Sequence, residues 1–158
     1  MKSLVVYYTR TGTAKFVAET VAAELGSDVE EIVDLKKRAG TLGWISAGKD
    51  ASGEKLTEIA PAKRDPADYD LVVLGTPVWA WRPTPALRTY LKQNDLSGKK
   101  VAVFLTSDGN PKEALERTKA LLPNATVVGE LVLSKALANK EDSLKKVAEW
   151  CSGLKMKM

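Results

Sequence analysis

The sequence contains no histidine and only one cysteine, Cys151, among its 158 residues. Histidine is the usual general base near neutral pH and a frequent metal ligand, so its absence argues against both kinds of chemistry. We therefore expect no catalytic side chain and no metal site, and assign any chemistry to a bound cofactor. A lone cysteine excludes an intramolecular disulfide, and its place late in an amphipathic helix predicts a half-buried apolar residue.

Long hydrophobic runs are also missing. No segment approaches the length of a membrane span, and the chain enters an apolar strand after Lys2 without the pattern of a cleavable signal. The length suits one domain over residues 1–158, which we expect to be cytoplasmic. The net charge of +4 comes entirely from Lys36 to Arg64, where seven basic residues face three acidic ones. The segment does not form a basic stripe interleaved with aromatic residues, which would indicate nucleic-acid binding, and a solvated surface explains the charge.

Apolar, β-rich segments alternate with segments of helical periodicity. The predicted strands are Ser3–Tyr8, Asp28–Val33, Leu71–Gly75, Val101–Thr106 and Thr126–Leu133, and the predicted helices are Ala14–Leu25, Pro85–Gln93, Lys112–Leu122 and Glu141–Cys151. Continuous apolar runs in the first, third and fourth strands are typical of parallel strands covered on both faces. The pattern predicts an α/β fold with a doubly wound, five-stranded parallel sheet of order 2-1-3-4-5.

The stretch from Lys36 to Pro66 contains four glycines and no clear period. Structureless loops of this length are uncommon in compact domains. We therefore expect at least a short helix there, or a segment that becomes ordered over a ligand.

A hydroxyl-rich turn follows the first strand and leads into the first helix. It consists of Thr9, Arg10, Thr11, Gly12, Thr13 and Ala14. The helix N-terminus presents unpaired N–H groups and a positive dipole end, the hydroxyls add donors, and Gly12 permits a backbone shape that a Cβ would hinder. The turn predicts a phosphate site made of hydroxyls and amides, although an ordinary helix start capped by a threonine fits equally well. Walker and dinucleotide glycine motifs do not occur.

The loop after the third strand holds two indoles among three prolines. Its residues are Thr76, Pro77, Val78, Trp79, Ala80 and Trp81, followed by Arg82-Pro83-Thr84-Pro85. In an extended loop both indoles project to the same side and form a stiff wall for a flat ring. Thr84 and Pro85 suit the N-cap and first position of the next helix. Apolar surface cover is the alternative for either indole.

The turn after the fourth strand is polar. Thr106, Ser107, Asp108 and Gly109 offer amides, two hydroxyls and a carboxylate to the rim of a heterocycle. Alone, the turn is equally typical of a helix cap. Together the three loops describe a pocket for a mononucleotide with a large flat ring.

These three loops resemble those of the flavodoxin family, and the resemblance covers nearly the whole chain. It implies a non-covalently bound FMN, with its phosphate in Thr9–Ala14 and its isoalloxazine between the second and third loops. The short fifth-strand region looks like the short-chain subgroup. Family roles place the backbone of Thr76–Trp79 near flavin N5, Trp79 or Trp81 on a ring face, and Asp108 or its neighbours at the N3 and O2 edge.

The resemblance implies a low-potential electron carrier that acts with redox proteins, without nucleic acid or membrane, as a monomer or weak dimer. Two features depart from the family: the chain is basic, which predicts an acidic partner, and Ser107–Asn110 lacks the aromatic that often covers the outer flavin face. Trp44 is the candidate replacement, or that face is open to a substrate. The departures keep a second hypothesis, an FMN-dependent NAD(P)H:quinone or related oxidoreductase. A flavin-free binding module is a third.

Overall fold

The computed structural model describes residues 2–36, 38 and 40–158. Five strands and five helices alternate along these residues, with one short 3-10 turn at Pro66–Asp68. The strands are β1 (Ser3–Tyr7), β2 (Asp28–Glu31), β3 (Leu71–Pro77), β4 (Lys100–Ser107) and β5 (Thr126–Ser134). The helices are α1 (Thr13–Leu25), α2 (Gly40–Ser52), α3 (Pro85–Gln93), α4 (Ala114–Lys119) and α5 (Lys140–Lys157).

The strands form one parallel sheet in the order β2-β1-β3-β4-β5, which confirms the predicted fold class. The centre is β1 beside β3, in a register that pairs Tyr7 with Gly75. The chain crosses to opposite faces after these two strands, so a crevice opens at their carboxyl ends.

Both faces of the sheet are buried. Alternate residues of β1, such as Val5 and Val6, enter separate apolar clusters on the two faces. Cys151 of α5 is fully buried in one of these clusters, deeper than the sequence predicted, and burial raises the pKa of its thiol to about 11. No helix among the described residues combines the length and apolarity that crossing a bilayer requires.

The helices differ from the predictions mainly in length. The helix after β4 is shorter than Lys112–Leu122, because Lys112 adopts a left-handed φ of 47° and the helix begins only at Ala114. The final helix is longer than predicted and continues to Lys157. The stretch from Lys36 to Pro66 contains the 13-residue helix α2, well beyond a short helix. It buries small residues, mainly Gly43, Ala47 and Ala51, which produce no large-apolar periodicity.

Candidate functional site

The three predicted loops converge on one cavity at the carboxyl ends of β1, β3 and β4. Its volume is about 430 Å³, within the range of about 300–1,000 Å³ found for small-molecule sites. Every predicted site residue except Gly12 and Thr76 lines it, and Trp44 and Asn110 join them. The lining residues are Thr9, Arg10, Thr11, Thr13, Ala14, Trp44, Pro77, Val78, Trp79, Ala80, Trp81, Thr106, Ser107, Asp108, Gly109 and Asn110.

The turn of residues 9–14, which we call the phosphate turn, leaves the N-terminus of α1 without a side-chain cap. Gly12 precedes the helix with a φ of 100°, and no side chain caps the N-terminus, so the alternative of a threonine cap is wrong. The N–H groups of Thr13, Ala14 and Lys15 make no hydrogen bond to any described residue. Three free donors at the positive end of a helix dipole are the groups that favour a bound anion.

Two side chains of the turn support its shape. The Thr9 hydroxyl accepts a 3.0 Å hydrogen bond from the N–H of Gly12, so Thr9 folds the turn as well as lining the cavity. Arg10 reaches away from the helix: its Nε donates to the carbonyl oxygen of Arg38 at 2.7 Å, and its Nη2 to that of Gly40 at 3.2 Å. Arg10 therefore fastens the phosphate turn to the segment that enters α2.

The loop after β3 is a tight turn, and the prediction of an extended loop is wrong. Trp79 and Arg82 exchange two backbone hydrogen bonds of 3.0 Å, while Ala80 and Trp81 adopt left-handed φ values of 49° and 58°. Neither central residue is glycine, so the sequence carries no Asn-Gly signal and the turn stores strain of about 1–2 kcal/mol per residue. Such strain is typical of functional sites.

The turn separates the roles of the two indoles. Trp79 is half-buried and packs edge-on against Tyr8 with 5.5 Å between ring centroids. Trp81 is exposed; the Nζ of Lys112 lies 3.7 Å from its ring centroid, and Arg117 donates a 3.2 Å hydrogen bond to its carbonyl oxygen. Both indoles line the cavity, and Trp79 is the more buried of the two.

Thr76 lies outside the cavity lining. Its hydroxyl is buried and bonds the Thr84 hydroxyl at 2.9 Å, which fixes the end of β3 to the start of α3. Thr84 therefore precedes Pro85 as predicted, but its hydroxyl does not cap the helix. Any contact of Thr76 with a ligand must come from its backbone.

The turn after β4 closes on itself. The Ser107 hydroxyl donates to the carbonyl oxygen of Gly109 at 2.7 Å and accepts from the Gly109 N–H at 3.2 Å. Asp108 is exposed at the cavity edge. This turn offers a polar rim with no aromatic side chain.

Helix α2 contributes to the cavity wall on which the sequence analysis left two alternatives, Trp44 or an open face. Trp44 of this helix lines the cavity, with 66% of its surface exposed. The helix rests on buried charges beside Tyr8: Arg38 donates to Asp34 at 3.0 Å and to Asp50 at 2.7 Å. Burial would lower the pKa of Arg38, but these hydrogen bonds outweigh it and raise that pKa.

Tyr8 lies behind the cavity wall, buried against Trp79, and stays protonated. Burial, helped by the Asp34 carboxylate, raises the pKa of its hydroxyl to about 12. Below that pH, Tyr8 supports Trp79 as a neutral aromatic ring and places no anion behind it.

Comparison with known proteins agrees with this geometry. The flavodoxin family model matches residues 2–153. A flavoprotein from Lactobacillus acidophilus, solved in complex with FMN, is 25% identical over 87% of this chain and 97% of its own, with a TM-score of 0.73. A protein from Bacteroides uniformis assigned as a flavoprotein is 24% identical, covers 96% and 97%, and gives a TM-score of 0.82. Oxidised flavodoxin 2 from Bacillus cereus is 21% identical over the full length of both chains, with a TM-score of 0.64. The chain therefore belongs to the flavodoxin family.

Proposed function

We propose that this flavodoxin binds FMN in the 430 Å³ cavity and acts as an electron-transfer protein. One observation carries the proposal: residues with free N–H groups at the start of α1, Thr13 and Ala14, line the same cavity as Trp79. A ligand that combines a dianionic phosphate with a flat aromatic ring needs both features. The FMN complex of the Lactobacillus acidophilus flavoprotein supports the same ligand.

The donor set fits FMN. The N–H groups of Thr13, Ala14 and Lys15, with the Thr11 hydroxyl, would hold the phosphate. The β3 turn and Trp44 would flank the ring, and the Ser107–Gly109 turn would face its polar edge. FMN, when bound, supplies the one- and two-electron redox chemistry. The chain would orient it, with Trp79 covering part of the ring and the Ser107–Gly109 turn, which includes the Asp108 carboxylate, at the ring edge.

An FMN-dependent NAD(P)H:quinone or related oxidoreductase is the second candidate. The observation in its favour is the open mouth, where Trp44 and Trp81 are both exposed and the turn from Ser107 to Asn110 carries no aromatic. A second substrate can approach the ring there.

We also infer an acidic redox partner. The proposal is supported by the net charge of +4 and by Lys112, which lies over the exposed Trp81 ring at the cavity. Opposite charges raise association rates at low salt. Reoxidation of the FMN-loaded, reduced protein by anionic ferricyanide should therefore slow as salt is raised. A rate that is flat with salt contradicts the proposed partner.

The binding proposal is tested by titrating the apoprotein with FMN and with riboflavin. Riboflavin lacks the phosphate. If only two of the proposed donors form charge-assisted hydrogen bonds with it, at about 1.5–3 kcal/mol each, FMN should bind at least about a hundredfold more tightly than riboflavin. Equal affinities refute the phosphate site, and no binding of either refutes the function.

An anaerobic reductive titration then separates the two candidates. A carrier accepts electrons in two resolved steps from dithionite and does not react with NADPH. Direct two-electron bleaching by NADPH shows a reductase.

A further inference from the structure

Arg38 joins three walls of the cavity without lining the cavity itself. Its guanidinium carbon lies 5.7 Å from the ring centroid of Trp79. Its backbone carbonyl accepts the 2.7 Å hydrogen bond from Arg10 of the phosphate turn. Helix α2 approaches so closely that a Cβ on Gly43 would lie 2.5 Å from that same carbonyl oxygen. Arg38 therefore contacts the phosphate turn, the β3 turn and α2 together.

Two buried carboxylates hold the guanidinium in place. The side chains of Arg38 and Asp34 are only 4% and 2% exposed, and that of Asp50 is 11% exposed. Asp34 precedes α2 and Asp50 lies within it, so the guanidinium bridges the helix to the strand side of the molecule. Asp50 also accepts a 2.6 Å hydrogen bond from the half-exposed Lys36, and one oxygen of Asp34 accepts from the Thr57 hydroxyl and the Lys36 N–H. Without Arg38, Asp34 loses its only ion pair and Asp50 keeps only the solvent-facing one, so the buried carboxylates are under-compensated unless α2 moves to admit water.

Apolar burial contributes little to the packing of α2 against the rest of the protein. The buried face consists mainly of Gly43, Ala47 and Ala51, which remove little apolar surface from water. Arg38 Nη2 is buried and makes no hydrogen bond within the described residues, so the cation–π contact with Trp79 is its compensation. The charge network therefore decides where α2 and the Trp79 ring lie.

We propose that Arg38 is a positioning residue that holds α2, with its Trp44, and the Trp79 ring against the cavity. The proposal rests on the proposed function only for the identity of the ligand. If α2 is seated for only a fraction of the time, the apparent affinity for FMN falls by the same fraction.

The test compares Arg38→Met with the matched control Arg64→Met. Arg64 lies in the loop between α2 and β3 and does not line the cavity; its half-exposed guanidinium is 3.6 Å from Asp28 at the start of β2. Hydrogen exchange of the apoproteins, well below the unfolding temperature, measures the seating of α2 directly. FMN titration and near-ultraviolet circular dichroism of the same proteins follow. Because Arg38→Met leaves two buried carboxylates, Asp34→Asn/Arg38→Met/Asp50→Asn is the second variant, which removes the charges and the link together.

In Arg38→Met we expect faster exchange confined to α2 and the phosphate turn, an altered tryptophan spectrum, and FMN binding weakened about tenfold, which corresponds to α2 being seated about a tenth of the time. The triple variant should recover global stability but not the tryptophan spectrum. Arg64→Met should match the wild type. Unchanged exchange and affinity in Arg38→Met overturn the proposal, as does a uniform loss of protection over the sheet, which marks a merely structural role. If the wild type binds no FMN, the proposed function fails, while exchange in the apoprotein still decides the role of Arg38.

Discussion

Gly75 of β3 has no room for a methyl group. It pairs with Phe104 of β4, and a Cβ built on it would overlap the Phe104 ring, with even the third-nearest ring atom at 2.6 Å. Phe104 is fully buried, so its ring has no free space in which to move. Overpacking of this kind costs about 1–3 kcal/mol of folding free energy. We expect Gly75→Ala to lower the urea midpoint, and each kcal/mol lost to lower the melting temperature by about 2–4 °C.

The assay is urea unfolding of the apoprotein followed by far-ultraviolet circular dichroism. Gly153→Ala is the control, because Gly153 is exposed in α5 with nothing within 4 Å of the added Cβ, and alanine there should stabilise by about 0.5–1 kcal/mol. Phe104→Leu frees the space that the new methyl group needs. Gly75→Ala should therefore cost less in that background, with a coupling of about 1 kcal/mol or more. An unchanged midpoint in Gly75→Ala, or strictly additive effects in the pair, would refute the overlap.

Three further predictions concern single groups. Gly12→Ala should weaken FMN binding in a calorimetric titration, because an L-residue at a φ of 100° costs about 1–2 kcal/mol and would reorient the free N–H groups of the phosphate turn. An affinity equal to that of the wild type would contradict the proposed phosphate site. Native Cys151 should not react with a thiol reagent at pH 8, since burial raises its pKa to about 11, and should react fully in urea; rapid labelling of the native protein contradicts its burial. The hydrogen bond from Lys36, partly opposed by burial, holds the pKa of Asp50 in the folded protein below its ordinary value of 3.8. The contribution of Asp50 to folding stability is therefore complete above pH 3.8 and is lost as the pH falls through the lower pKa of the folded state. Asp50→Asn should remove this part of the acid limb of stability measured by urea unfolding, and an unaltered limb would argue against the ion pair.

The sequence predicted the sheet and the three loops because those features are local. Apolar runs in β1, β3 and β4 identify buried parallel strands, and each loop follows its strand directly. A turn that starts a helix shows its donors in the sequence itself, so the free N–H groups at the start of α1 were predictable without a structure.

Helix α2 and the β3 turn could not be predicted fully, for two different reasons. The helix buries alanine and glycine and exposes Leu42 and Ile45, which inverts the pattern by which helices are found. The turn places Ala80 and Trp81 in a left-handed conformation that their residue types disfavour. Its position is held by Lys112 and Arg117 from beyond β4, contacts that no local pattern shows.

The buried and the exposed face of α2 differ in how far their residues are constrained. Its seat is made of small residues and ions, so changes there would disturb the cavity wall. Its outer face makes no such contribution: Leu42 is 84% exposed and Ile45 53% exposed. Substitutions at these two positions would therefore change the outer surface of α2 while Trp44 and the buried residues that hold the helix stay the same.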